Sequence, residues 1–243
     1  MIRTSGIKYS AFTFFLLLIL GSRFSIAQQS DAGLWSKFTL EKELRGKWSL
    51  FVEQEIRCKE NYSQLDRLYT EIGGSYKPVK GLKISLAYRF LAKQDLQKYY
   101  WNDLRFGHRA ILDISYKYRV SSLTFLYKTR FESELKYVYS SDKGGVPAWN
   151  WKNKFEIKYR IMRLEPYIGT ELRCQFRDPR HPESDWSCNR IWIYAGVNVS
   201  IIKNQTLGIY YLVQKEWNLV APVDRYILGI EYSILLPSGK KKK

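Results

Sequence analysis

Histidine is nearly missing from this chain, with two residues, and cysteine is scarce, with three. A serine or cysteine hydrolase needs a histidine beside its nucleophile, and neither histidine invites that reading. His108 falls between Phe106 and Ala110 in an alternating apolar segment, and His181 sits in the loop Pro179-Arg180-His181-Pro182. A catalytic site, if the chain had one, would be expected to use His181 with Asp178, Glu183 or Ser184 of the same loop. A structural or solvated role is the expectation for both histidines, and a non-enzymatic protein the expectation for the whole. The cysteines, Cys58, Cys174 and Cys188, lack the paired spacing of a zinc site. No cofactor is implied.

Also lacking are helical periodicity, a linker, and any apolar run of helical length beyond residue 20. A bundle of membrane helices is therefore excluded, and the high aromatic content, 19 Tyr, 12 Phe and 8 Trp, argues against disorder. The one apolar run, residues 11–20, follows Arg3 and Lys8 and precedes Ser25-Ile26-Ala27. It is too short to span a bilayer, which takes about 20 helical residues. Together these features predict a signal peptide over residues 1–27, cleaved before Gln28. No cysteine follows the cleavage point, as a lipid anchor would require. The mature chain is expected to comprise a barrel over 28–237 and a basic tail over 238–243.

Charge is plentiful and unbalanced. The net charge is +17, or about +14 once Arg3, Lys8 and Arg23 leave with the leader. Neither a recognition helix nor an aromatic nucleic-acid platform accompanies it, so no nucleic-acid partner is implied. The basic residues are expected to pair with neighbouring carboxylates or with phosphates of lipopolysaccharide. Lys240 to Lys243 form a solvated tail or touch anionic lipid.

What the chain has in quantity is period-two alternation, the mark of a strand with two unlike faces. Around the turn at 78–81, Leu82, Ile84, Leu86, Tyr88 and Phe90 alternate with Lys83, Ser85 and Arg89. The cleanest case is 149–161, where Trp149, Trp151, Phe155, Ile157, Tyr159 and Ile161 oppose Asn150, Lys152, Lys154, Glu156, Lys158 and Arg160. Similar segments fill the mature chain, joined alternately by short turns and long polar loops.

Alternation by itself does not say which face points inward. A soluble sandwich turns its apolar face in, whereas a transmembrane barrel turns it out to lipid. Segments of about ten to thirteen residues can cross a bilayer when tilted, and globular strands are usually about half as long. Aromatics gather at segment ends, with Trp48, Tyr76, Tyr116 and Tyr159 near the short turns and Phe90, Trp101, Trp149 and Trp217 near the long loops, like two interfacial girdles. The polar face is rich in long ionic side chains of both signs. Glu53, Glu55, Arg57, Arg89, Arg105 and Arg109 lie in the first half, and Lys128, Arg130, Glu132, Lys152, Lys154, Glu171 and Arg173 in the second. A closed barrel can pair them across its lumen.

These features predict an all-β fold, a closed antiparallel transmembrane β-barrel of about ten to twelve strands, with short periplasmic turns and longer extracellular loops. About eleven segments can be delimited, whereas single-chain bacterial barrels have an even number. Either residues 28–40 are organised differently or a loop hides a strand, leaving ten and twelve both open. Cys174 and Cys188 flank one long loop, and in an oxidising compartment a disulfide there would close about fifteen residues, worth at most about 3 kcal/mol, with Cys58 left over. Three free thiols would exclude it.

The combination Leu34-Trp35, Lys47-Trp48-Ser49-Leu50, Glu53-Gln54-Glu55-Ile56-Arg57, Tyr76-Lys77-Pro78 and Ala87-Tyr88-Arg89-Phe90 resembles the family catalogued as domain of unknown function 2490. That resemblance implies an outer-membrane barrel and no particular biochemistry. The last segment, Gly229-Ile230-Glu231-Tyr232-Ser233-Ile234, is similar to the signal read by the barrel-assembly machinery, although the chain continues through Leu236-Pro237. The expected protein is a bacterial outer-membrane barrel with a narrow or plugged, porin-like interior, or a structural and interaction barrel. The alternatives are a secreted soluble β protein that binds a ligand, and an outer-membrane lipid-modifying enzyme.

Overall fold

A computed structural model describes residues 30–94, 104–136, 145–219 and 222–239. The leader, Trp101 and the Lys240 to Lys243 tail lie outside the described residues. Eleven strands form one closed barrel. They are β1 (Ser30–Glu43), β2 (Trp48–Lys59), β3 (Gln64–Tyr76), β4 (Leu82–Gln94), β5 (Leu104–Val120) and β6 (Leu123–Lys136), followed by β7 (Ala148–Tyr159), β8 (Leu164–Arg177), β9 (Ser187–Ile202), β10 (Gln205–Glu216) and β11 (Asp224–Leu236). Each strand hydrogen-bonds to its neighbours in sequence, antiparallel, with long-range contact across the whole wall.

Eleven strands fall within the expected range of about ten to twelve, but the even number, ten or twelve, is not met. No loop among the described residues hides a strand, and the described part of the segment around 28–40, from Ser30 on, is an ordinary strand. What differs is the closure: β1 and β11 run parallel over thirteen paired residues, Ser30 with Asp224 through Lys42 with Leu236. An up-and-down meander with an odd number of strands returns its last strand in the direction of its first. It can therefore close only through one parallel pair. The slanted bonds of a parallel ladder are slightly weaker per residue, and side-chain contacts reinforce this seam. Lys37 on β1 meets Glu231 on β11 at 2.5 Å inside the barrel. On the outer side the Phe38 and Tyr232 rings lie 6.1 Å apart.

Five short connections, 44–47, 77–81, 121–122, 160–163 and 203–204, share one rim, and the chain leaves from that rim after Leu236. The chain enters β1 at the opposite rim, where the connections 60–63 and 178–186 lie. The turns are tight enough to need left-handed backbone. Gly81, at φ 89°, is one example: a Cβ there would press on the Lys117 carbonyl.

The two faces of the wall separate by chemistry. Leu50, Ile72, Leu86 and Ile168 project outward, Leu86 with 67% of its surface exposed. Glu71, next to Ile72, is buried inside, as are Arg89, Asp113 and Glu132, Glu132 at 1%. Strands of 12 to 17 residues carry this pattern along the full barrel height. Outward aromatics mark both ends. At the short-turn rim Trp48 packs on Tyr76 with centroids 4.6 Å apart, and Tyr116 and Tyr159, at the same ends of β5 and β7, are exposed. Toward the other rim Trp149 and Trp186 are exposed, and Trp186 packs on Phe176.

Candidate functional site

The interior is the candidate site, and it has two unlike walls. From β2 to β7 it is ionic. Arg89 on β4 donates through Nε to Glu71 on β3 at 2.6 Å and lies 3.6 Å from Glu53 on β2. Arg130 on β6 grips both oxygens of Asp113 on β5, at 2.7 Å each, and Lys128 reaches the same carboxylate at 2.9 Å. Glu132 collects Arg109 at 3.3 Å and Lys152 at 2.9 Å, while Arg109 also holds Glu134 at 2.9 Å. Lys154 and Lys158 share Glu156, at 3.0 and 2.8 Å.

The register places like charges directly opposite, Arg89 with Arg109 and Arg130 with Lys152. Such pairs repel. Arg89, Arg109 and Arg130 each face a carboxylate on the strand at their other side, Glu71, Glu134 and Asp113, and Lys152 reaches Glu132 diagonally, so the strands mesh their charges around the wall.

The structure brings the charged residues named from the sequence into this space. Glu53, Glu55, Arg57, Arg89, Lys128, Arg130, Lys152, Lys154 and Glu171 line a cavity of about 160 Å³ in mid-barrel. Arg109, Glu132 and Arg173 line a second, of about 290 Å³, toward the long-loop rim. Arg57, Arg89, Lys152 and Trp192 belong to both. Arg105, two positions before Gly107 and four before Arg109 on β5, shares their inward parity.

The second wall is aromatic, and the sequence reading missed it. Trp35, Tyr194, Leu212 and Ile227 form a buried cluster with Tyr167, Trp192 and Tyr210 packed against it. These residues come from β8 to β11 and from β1, where large apolar side chains stand on both strand faces among the ionic ones and alternation separates inside from outside less sharply. The signal that was available is the set of inward glycines. Gly169 pairs with Tyr194 across β8 and β9, and Gly229 pairs with Tyr210 across β10 and β11. At either glycine a Cβ would collide with the tyrosine ring. The rings therefore lie flat against bare backbone, in the manner of aromatic rescue of sheet glycines. Arg57 bridges the two walls, its guanidinium 3.6 Å over the Trp35 ring and 4.9 Å from Tyr69.

The β8–β9 loop holds the groups named for catalysis. Ser184 is fully buried and donates its hydroxyl to the Asn218 carbonyl at 2.7 Å. His181 Nδ1 faces Glu183 at 3.3 Å. Asp178, 1% exposed, receives Lys136 at 2.6 Å and the backbone and side chain of Arg180. Burial opposes its ionisation, but the Lys136 ammonium and these hydrogen bonds outweigh burial and hold the carboxyl below its ordinary range. Asp178 is thus a staple between the β6 end and the loop, and the Ser184 hydroxyl is directed to a carbonyl, away from His181.

His108 faces outward and meets the Tyr88 hydroxyl at 2.6 Å. Cys174 and Cys188 are joined by a disulfide across the β8–β9 pair, and Cys58 is free. Among the described residues no group of three or more His, Cys, Asp or Glu is placed to hold a metal ion.

The fold and its interior define a class: a closed all-β barrel of eleven strands, apolar outside and ionic within. Within that class the chain belongs to the family described as Protein of unknown function (DUF2490), whose model matches residues 32–221. Among solved structures it is similar to OccK8 (OprE) of Pseudomonas aeruginosa, with 10% identity over 75% of this chain and a TM-score of 0.37. The chain spans 57% of the length of OccK8. It is also similar to a chain described under "Unveiling the Mechanism Behind the in-meso Crystallization of Membrane Proteins", with 15% identity, 75% of this chain and 74% of that one covered, and a TM-score of 0.34. No curated protein matches.

Proposed function

We propose that this protein is a bacterial outer-membrane β-barrel, exported by a leader over residues 1–27, whose interior is a narrow passage filled with paired side chains rather than a wide channel. The observation that carries this reading is the orientation of the wall. Leu50, Ile72, Leu86 and Ile168 present an apolar exterior, while Glu71, Arg89, Arg109 and Glu132 are enclosed. In water that arrangement would be costly twice over, because apolar surface would stay wet and ions would be desolvated. In a bilayer the exterior is matched by lipid, and closure leaves no strand edge with unpaired backbone groups.

The barrel acts without catalysis in this reading. Its basic loop residues meet lipopolysaccharide phosphates, and its last strand is read by the barrel-assembly machinery during insertion.

Cell fractionation tests the compartment: the processed chain is expected in the outer-membrane fraction, extracted only by detergent. Recovery from the soluble periplasm would overturn the membrane assignment. Conductance in planar bilayers tests the passage, with small or no current steps expected. Steps as large as those of wide diffusion porins would overturn the narrow interior.

A further inference from the structure

We propose that the long-loop half of the interior is a binding site for a small anionic solute carrying a phosphate monoester or an equivalent dianionic group. This rests on the reading of the interior as an enclosed ionic space and does not depend on the membrane. The cavity there, of about 290 Å³, is lined by ten basic side chains and three acidic ones. Carboxylates just behind the lining reduce the imbalance. Glu55 pairs with Arg57, Glu71 and Glu53 with Arg89, Glu216 with Arg190, and Asp66 with Arg67.

Two cations then remain in excess. Lys93, at the end of β4, has no carboxylate at ion-pair distance among the described residues. Arg173 on β8 has none either: its guanidinium is held by two neutral amide oxygens, Asn150 Oδ1 at 2.7 Å and Asn189 Oδ1 at 3.1 Å. These bonds fix the fork in place without cancelling its charge. Buried N–H groups in the same place also lack an acceptor. The Nε atoms of Arg109 and Arg190, both lining the cavity, have no hydrogen-bond partner, and Arg109 is only 7% exposed.

An unpaired buried donor is destabilising, and an uncompensated cation in a desolvated site is more so. A phosphate offers what is missing, namely negative charge and several acceptor oxygens that suit planar guanidinium forks. The ring of Trp192 lines both cavities and gives the carbon skeleton of such a solute an apolar wall. It also makes binding visible by fluorescence.

The test uses the full mature chain in detergent, titrated with glucose 6-phosphate, glucose and inorganic phosphate by calorimetry and tryptophan fluorescence. Glucose 6-phosphate is expected to bind, more weakly as salt is raised, and glucose not at all. Lys93→Gln and Arg173→Gln are each expected to weaken binding about tenfold, the loss of one charge-assisted contact, and the double variant to abolish it. Lys42→Gln, at the opposite rim, leaves it unchanged. Should Arg173→Gln fail to fold, as judged by heat-shifted mobility on gels, Lys93→Gln alone decides. The proposal is overturned if glucose 6-phosphate does not bind, if glucose binds equally well, or if the folded double variant, or Lys93→Gln where it decides alone, binds like the wild type. Because fractionation is a separate measurement, failure here leaves the barrel's location untouched, and the reverse.

Discussion

Arg130 and Asp113 face each other across β5 and β6 as a two-toothed clasp, with Nε to Oδ1 and Nη2 to Oδ2 both at 2.7 Å. The pair is the hub of the ionic wall, since Lys128 shares the carboxylate and Glu71 and Glu132 stand 3.9 and 3.7 Å from the guanidinium. In a buried ion pair of this kind desolvation offsets much of the mutual attraction, so the intact pair adds little net stability.

Removing one partner should therefore hurt far more than removing the whole set. Asp113→Asn strands both Arg130 and Lys128, and a loss of about 3 kcal/mol is expected, near the low end for a broken buried pair because Glu71 and Glu132 remain nearby. The triple change Asp113→Leu, Arg130→Met and Lys128→Met should recover most of it. Urea unfolding in micelles, followed by tryptophan emission, measures both. Equal losses for the single and triple variants would contradict the account.

The glycine and tyrosine pairs make a prediction about packing. Gly229→Val drives a side chain into the Tyr210 ring, and overpacking of this kind costs about 1–3 kcal/mol. In a Tyr210→Ala background the ring is gone and the valine should be tolerated. A double-mutant cycle in thermal unfolding is expected to show a coupling of about 1 kcal/mol or more.

Asp178 predicts a pH dependence with a definite sign. Its carboxyl is held below the ordinary aspartate value in the folded state, so its staple to Lys136 and Arg180 contributes stability above the unfolded value of about 3.9. That contribution is lost as pH falls through the lower, folded value. Wild type should exceed Asp178→Asn in stability by a constant margin from neutral pH down to about 4, and the margin should shrink below that. A margin that vanished already near neutrality would contradict the staple.

The disulfide predicts a thiol count. Denatured, unreduced protein should show one free thiol, Cys58, and reduction should raise this to three. With a sequence separation of 14 between Cys174 and Cys188, reduction should lower stability by no more than about 3 kcal/mol. Ellman titration and unfolding with and without reductant check the two parts.

Much of this architecture was written locally along the chain. The alternation in 82–90 and 149–161 determined strands, because a pleat sends successive side chains to opposite faces whatever the partner strand. The short turns followed from the breaks between those segments, and the ionic residues of the interior from their parity. Tertiary structure alone decided three things. It decided the parallel seam between β1 and β11, since the partner of an edge strand depends on how many strands precede it and not on its own residues. It decided the aromatic wall, because Trp192 and Tyr194 alternate with Ile191 and Ile193, and only the opposing glycines tell which set has room inside. Finally, it decided which cations are neutralised: Arg89 and Arg173 read alike in the sequence, but register gives one a carboxylate and the other two amides.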